Sequence, residues 1–330
     1  RRSPAYLPEM IEFQARAGAT AMSLEAFVGL LADGLFEHVE VDTAVCTGLG
    51  RDHLDVHGSI DAYWAAKLSL FEQHLRADGT AVMAMNCAQG DLVRDAASRR
   101  GARTVTVGDG GDIWLSDPRE EGARLTGQLM VGADSFDVAM PTVHDVAVTN
   151  LLLAAAAVIA AGGAPGLVAD ALAHVTLPPG RLEVIAVRDE ITAMVDTAHN
   201  PGALRAALQA VRSRTAGRVL VVFGAGGERD RAKRSEMGAA AAELADVVVL
   251  TDDNPRREPP QRIRADVRAG CPDCLEIPRR RDAIVAALAM ARAGDLVLVA
   301  GKGDEEEQLV GTGRLAHDDR VVIREVMAAA

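Results

Sequence analysis

Lysine is scarce in this chain. Of 35 Lys plus Arg, only Lys67, Lys233 and Lys302 are lysine. Where any cation suffices the sequence uses arginine, so Lys67, closing the run RDHLDVHGSIDAYWAAK, raises the question of what its amine does that a guanidinium could not. A lysine amine can react, for example with carbon dioxide to give an anionic carbamate, whereas a guanidinium stays protonated. Asp52 and His53 precede it in the same run, and Glu25 lies further upstream. Carboxylate, imidazole and carbamate are donors suited to a divalent cation. Taken singly, each residue is better read in a plain role: Lys67 as a solvated helix lysine, His53 as a turn residue.

Four further clusters carry polar groups where none is needed for packing. VDTAHNP (195–201) offers Asp196 to ribose hydroxyls, with Asn200 and Pro201 as a helix start. FGAGGERDRAKR (223–234) has glycines that let backbone amides approach an anion, with Arg229, Arg231, Lys233 and Arg234 adding charge. It is not a P-loop, because no Gly-Lys-Ser/Thr follows. TDDNPRREPP (251–260) places Arg256 to grip a carboxylate and Asp253 with Asn254 to hold an ammonium group. AGKGDEEEQ (300–308) combines Gly301 and Gly303, which permit close approach, with Glu305 for a second ammonium. The bland alternatives are a helix cap, a basic loop, an Asn-Pro turn and an acidic helix start.

The elements that must position these groups follow from pattern. Residues 6–19 and 24–34 have helical spacing, and VEVDTAVCTGL (39–49) reads as a buried strand. IDAYWAAKLSLFEQHL (60–75) reads as an amphipathic helix and TAVMAMN (80–86) as a strand. Residues 100–142 suit short strands and turns, and 145–162 an Ala-rich helix. LPPGRLEVI (177–185) has the punctuation of a boundary, which suggests domains of 1–184 and 185–330. Beyond it strands and helices alternate: strands at 193–198, 218–225, 247–253 and 295–303, each paired with a helix. That rhythm predicts a parallel, doubly wound α/β sheet, whose ligands bind outside the carboxyl ends of the strands. All four polar clusters fall at such ends.

Composition narrows the function. Net charge is -12 with no basic stripe, which argues against nucleic acid or an anionic membrane as partner. Hydrophobic content is 49% and aromatic content 3%, so the cores must be built from Ala, Val and Leu. The apolar run 148–164 is too short to span a bilayer and is read as a buried helix. Four cysteines, no apolar leader and a lone CPDC at 271–274 suggest a reduced, cytoplasmic protein. The chain opens without methionine, which hints at an upstream part.

Taken in order, RDHLDxHGS…YxxAKxxLF, N-L-L-x-A, PGRxE, DxAHNP, FGxGGxRDxxKR, DDNPR and AGKGxE resemble the Mur ligase family. The resemblance runs from about residue 3 to the end and is nearest to the branch that adds meso-diaminopimelate to UDP-N-acetylmuramoyl-L-Ala-D-Glu. It implies the remainder of a central, P-loop-type domain followed by a Rossmann-like C-terminal ligase domain. It also implies ATP and magnesium as cofactors, with Glu25, His53 and a carbamylated Lys67 at the metal. Asn150, Arg181, Asp196, His199 and Asn200 match nucleotide-side positions. Arg229, Asp253, Asn254, Arg256, Gly301 and Glu305 match positions that hold the incoming diamino acid.

The chain departs from the family in several places. The GxxGKT/S P-loop and the UDP-gripping domain are absent. Ala26, Phe27, Val28 and Gly29 follow Glu25 where the family has Val-Ser-Ser-His. Leu35 stands for an expected arginine, Thr47-Gly48 for Thr-Asn, and Asp304 for the family histidine. Three readings stay open: the C-terminal portion of a full ligase, half of a split ligase whose partner chain carries the P-loop and whose acceptor differs, or a non-catalytic binder.

Overall fold

The computed structural model describes residues 6–48, 58–121, 124–141 and 145–329. The chain divides into two compact units, Arg1–Thr176 and Leu177–Ala330. The division falls ahead of the 184/185 step suggested by the Pro-Gly run. The cause is β7 (Glu183–Arg188), which pairs antiparallel with β8 (Ile191–Asp196) and draws the PGRLE segment into the second unit.

The first unit opens with α1 (Tyr6–Arg16) and α2 (Val28–Ala32), then β1 (Val41–Cys46) and α3 (Ile60–Ser69). Ser59 caps α3, its Oγ accepting from Ala62 N at 3.1 Å. This helix was expected to run to 75. Instead a single π-helical turn, Leu70–His74, follows Ser69, and β2 (Leu75–Ala84) begins at once. Leu75 is fully buried and paired with Val41, so its place in the sheet overrides the helical periodicity of the preceding segment. There follow α4 (Gly90–Arg100), β3 (Arg103–Val107), β4 (Ile113–Glu121), β5 (Arg124–Val131), β6 (Asp134–Pro141), α5 (Asp145–Ala160) and α6 (Pro165–Leu172).

These strands make one six-stranded sheet in the order β1-β2-β3-β4-β5-β6. Pairing is parallel from β1 to β4 and antiparallel from β4 to β6. Its core is small-residue packing: Ala44, Ala81, Met83, Val93, Ala96 and Ala97 around Phe71 and Leu75. α5, the most apolar stretch of the sequence, buries Leu151, Leu152, Leu153, Ala155 and Ala156 while Asn150 stays exposed.

The second unit continues with α7 (Pro201–Arg212), β9 (Val219–Phe223), α8 (Ala232–Leu244), β10 (Val247–Leu250), α9 (Pro260–Arg268), β11 (Leu275–Glu276), α10 (Arg280–Met290) and β12 (Leu296–Ala300). A hairpin, β13 (Glu307–Val310) and β14 (Gly313–Ala316), and α11 (Asp319–Ala329) close it. The sheet order is β11-β10-β9-β12-β8-β7, parallel except for β7.

Alternate residues along each strand feed two cores, as a sheet covered on both faces requires. Val219, Val221 and Phe223 pack with Leu204, Leu208, Met237, Ile263 and Val267 from α7, α8 and α9. Leu220 and Val222 face Ile284, Ala287, Val322 and Ile323 from α10 and α11. Cys271 and Cys274 sit in the first of these cores, where burial and the neighbouring thiol push the Cys271 thiol up to about 12. The CPDC run is therefore core packing. Among the described residues no helix is long and apolar enough to cross a membrane.

Candidate functional site

Parallel pairing in the second unit sets four strand ends on one edge. Ala300 is level with Asp196, Val299 with Val222, and Leu250 with Phe223. The polar clusters therefore leave the sheet side by side, where a doubly wound fold places ligands.

The tightest gathering joins the loops after β10 and β12. Asp253 is 6% exposed, and its Oδ1 accepts from Asn254 N at 2.5 Å. Its other oxygen, Oδ2, is buried without a hydrogen-bond partner. A buried carboxylate oxygen left unpaired is costly and points to a donor that arrives from outside. Gly301, with φ +116°, makes room for it: a Cβ there would lie 2.6 Å from Asp253 Oδ2. No L side chain fits that space or that backbone comfortably.

Asn254 is turned inward. Its Oδ1 accepts from Lys302 Nζ at 3.0 Å and Leu309 N at 2.9 Å, and its Nδ2 donates to Glu305 Oε2 at 2.9 Å. Lys302 donates as well to Glu305 Oε2 at 2.9 Å and to Glu307 O at 2.6 Å. Gln308 Nε2 donates to Asp253 O at 2.6 Å. Glu305 thus has one oxygen held by two donors. The acidic run it belongs to does not start a helix but leads into β13.

Arg256 adopts a left-handed φ of 52°. Its backbone is pinned by hydrogen bonds with Leu309 and Gly311, and its Nη1 donates to Gly227 O at 2.8 Å. The hairpin therefore holds the Arg256 backbone, and the glycine loop holds its guanidinium. Arg229 is exposed on that glycine loop. Arg234 is not available to an anion as its sequence position suggested. It is fully buried, donating to both oxygens of Glu258, to Asp266 at 2.8 Å and to Gly226 O at 3.2 Å. The Arg234 hydrogen bonds outweigh burial and hold the Glu258 carboxyl down at about 2.

A second buried pair underpins Gly301. Arg280 donates twice to Asp319, at 2.8 and 2.7 Å, and to Ala300 O at 2.9 Å, and both side chains are completely enclosed. Burial alone would push the Asp319 carboxyl up, but the Arg280 charge, its hydrogen bonds and His317 at 2.8 Å hold it below the usual range.

On the neighbouring strand end, Asp196 Oδ2 accepts from Leu182 N at 2.9 Å and its Oδ1 from Ala198 N at 2.8 Å. His199 is exposed, with Nδ1 2.8 Å from Thr197 O, and Asn200 caps α7 through Ala203 N at 2.8 Å. Arg181 is exposed just ahead of β7. Gly303 lets these loops meet: its Cβ would lie 2.0 Å from Thr197 Cγ2 and 2.8 Å from Gly180 O. Asn150 belongs to the other unit.

In the first unit, Lys67 Nζ donates to Gly48 O at 3.1 Å and lies 4.8 Å from the Tyr63 ring centroid. Glu25 is exposed ahead of α2. Asp52 and His53 lie outside the described residues. Among the described residues no group of three or more His, Cys, Asp and Glu side chains could hold a metal ion.

Residues 2–158 match the model of the Mur ligase middle domain, and residues 180–303 that of the Mur ligase glutamate ligase domain. The Brucella melitensis protein named UDP-N-acetylmuramoyl-L-alanyl-D-glutamate--2,6-diaminopimelate ligase is 38% identical over 328 residues, covering 99% of this chain and 67% of that protein. The chain belongs to the Mur ligase family. Members of that family are ATP-dependent ligases. A solved structure of a UDP-N-acetylmuramoyl-L-alanyl-D-glutamate--2,6-diaminopimelate ligase superposes with a TM-score of 0.62 at 34% identity, covering 98% of this chain and 67% of that one. The ADP complex of MurF from Thermotoga maritima, at 18% identity and TM-score 0.65 over 90% of this chain and 64% of that one, shares the fold. This Mur ligase chain thus spans about two thirds of the length of the relatives it matches.

Several residues of this loop cluster in the Mur ligase chain were not legible as such. Lys302 stood out only through the scarcity of lysine. Gln308, Arg280, Asp319 and His317 gave no signal, because their partners lie 20 to 55 residues away along the chain, or two in the case of His317 and Asp319.

Proposed function

We propose that this Mur ligase chain works in an ATP-dependent amide ligase that joins a diaminopimelate-type amino acid to a carboxylate acceptor such as UDP-N-acetylmuramoyl-L-Ala-D-Glu. The observation that carries this reading is the unpartnered, buried Asp253 Oδ2 beside Gly301, with Glu305 and a pinned Arg256 close in the same loop cluster. Two carboxylates suit ammonium groups, and a fixed guanidinium suits a carboxylate. A diamino acid carries both. On this reading Arg229, Asp253, Asn254, Arg256, Gly301 and Glu305 form the amine-substrate site. Asn150, Arg181, Asp196, His199 and Asn200 serve the nucleotide. Glu25, His53 and Lys67 serve magnesium.

In the reaction the acceptor carboxylate attacks the γ-phosphate of ATP, giving an acyl phosphate and ADP. The substrate amine then attacks the acyl carbon, forms the amide and releases phosphate. The second unit's part is to bind the diamino acid and hold its amine in a defined place. The ATP-phosphate loop is supplied by a segment or chain other than these residues, and the work takes place in the cytoplasm. A different acceptor is favoured by one observation: Phe27, 52% exposed, occupies a position where the family has serine.

The test is calorimetric titration of the chain with meso-diaminopimelate and, separately, with Mg-ATP. We expect the amino acid to bind, and Arg256→Ala and Asp253→Asn to abolish binding without unfolding the second unit. Binding that survives both substitutions would place the amine substrate elsewhere.

A further inference from the structure

Lys302 is the least explained member of the cluster. Its side chain is completely enclosed, so it cannot touch a ligand, while its partner Glu305 is 49% exposed. All three ammonium donors are used, on Asn254 Oδ1, Glu305 Oε2 and Glu307 O. A compact, three-donor cation fits three converging acceptors, and a planar guanidinium does not, which accounts for a lysine in a chain that prefers arginine.

The consequence is electrostatic. Asp253 and Glu305 are negative, and Lys302 and Arg256 are positive, so these four groups sum to no net charge. Arg280 behind them is already balanced by Asp319. Lys302 also saturates one oxygen of Glu305, which turns Oε1 into the oxygen that a ligand can use.

We propose that Lys302 is a specificity-determining positioning residue: an internal ammonium that aligns Glu305 and Asn254 and cancels one carboxylate, so that the site favours a diamino acid of zero net charge over one of charge +1. The inference rests on the amine site proposed above. Diaminopimelate has two carboxylates and two ammonium groups. Lysine has one carboxylate and two ammonium groups. Removing the internal cation leaves the cluster at -1 and must favour the cationic ligand.

The experiment titrates the full chain and two variants calorimetrically with meso-diaminopimelate and with L-lysine. In Lys302→Met we expect the diaminopimelate-to-lysine affinity ratio to fall roughly tenfold, the order of effect of one unit charge near a binding site. Glu305→Gln should move the ratio the other way while weakening both ligands. A merely structural role would lower both affinities equally in Lys302→Met and leave the ratio in place, and that result overturns the proposal. An unmoved ratio in Glu305→Gln overturns it too, even if Lys302→Met does not fold. If the unaltered chain binds neither ligand, the amine site itself is wrong and this inference falls with it.

Discussion

Glu258 offers a test of how the DDNPRRE and FGAGGERD loops are held together. Its Oε1 accepts from Arg234 Nη1 and Arg231 Nη2, both at 2.9 Å, and its Oε2 from Arg234 Nη2 at 2.7 Å and Glu228 N at 3.1 Å. One carboxylate thus ties the DDNPRRE loop to the FGAGGERD loop. Hydrogen bonds from Arg234 lower its pKa from 4.5 to about 2, against the opposing effect of burial. Holding a carboxyl about 2.5 pH units below its ordinary value is worth roughly 3 kcal/mol. A loss of about 3–5 kcal/mol is also the usual cost of removing one partner from a buried pair. Glu258→Gln should therefore lower the stability of the second unit by roughly 3 kcal/mol at pH 7.

The sign of the pH dependence follows from the depressed pKa. The stabilisation is complete above pH 4.5 and is lost as pH falls toward about 2. The gap between the unaltered chain and Glu258→Gln should close over that interval. Urea titrations followed by circular dichroism at a series of pH values would measure it, because Trp64 and Trp114 both lie in the first unit and fluorescence would miss the second. A gap that is absent at pH 7, or that persists undiminished to pH 2, would refute the reasoning.

Two further outcomes are expected. Gly301→Ala should weaken binding of meso-diaminopimelate at least tenfold with little change in acceptor-side properties, since its Cβ would displace Asp253 Oδ2 at 2.6 Å; calorimetry that finds unchanged affinity would contradict the placement. Cys46, which ends β1, and Cys87, in the turn after β2, have sulfurs 3.9 Å apart, with Cys87 partly exposed, while Cys271 and Cys274 are sealed in the core. Mild hydrogen peroxide should remove two thiols per chain as a Cys46–Cys87 disulfide, each peroxide being reduced to two waters, and peptide mapping that finds the CPDC pair oxidised first would count against it.

Much of the architecture was legible because the relevant signals are local. Strand residues such as Val219–Phe223 alternate between two apolar faces, and a helix follows most strands, so the parallel doubly wound sheet of the second unit could be read directly. The placing of DTAHNP, FGAGGERD, DDNPR and AGKG at strand ends came with it, since strand interiors have no use for such groups. Element ends were less legible. Residues 60–75 carry one helical pattern, yet the chain turns at Ser69 because Leu75 is claimed by the sheet.

What the sequence by itself determined is which residue types gather at one edge of the second sheet and the family they belong to. Only the tertiary structure decided which of them face inward. Arg234 and Lys302 lie in runs that look like exposed charge, but both are enclosed because acceptors from other loops converge on them. Asn254 spends its amide on Lys302 and Glu305, while Asp253 Oδ2 is left open. The division of labour between these two neighbours depends on contacts that Asn254 makes 48 to 55 residues away, at Lys302, Glu305 and Leu309. Hydrogen-bond pairing across that separation is a property of the folded geometry, and no local pattern encodes it.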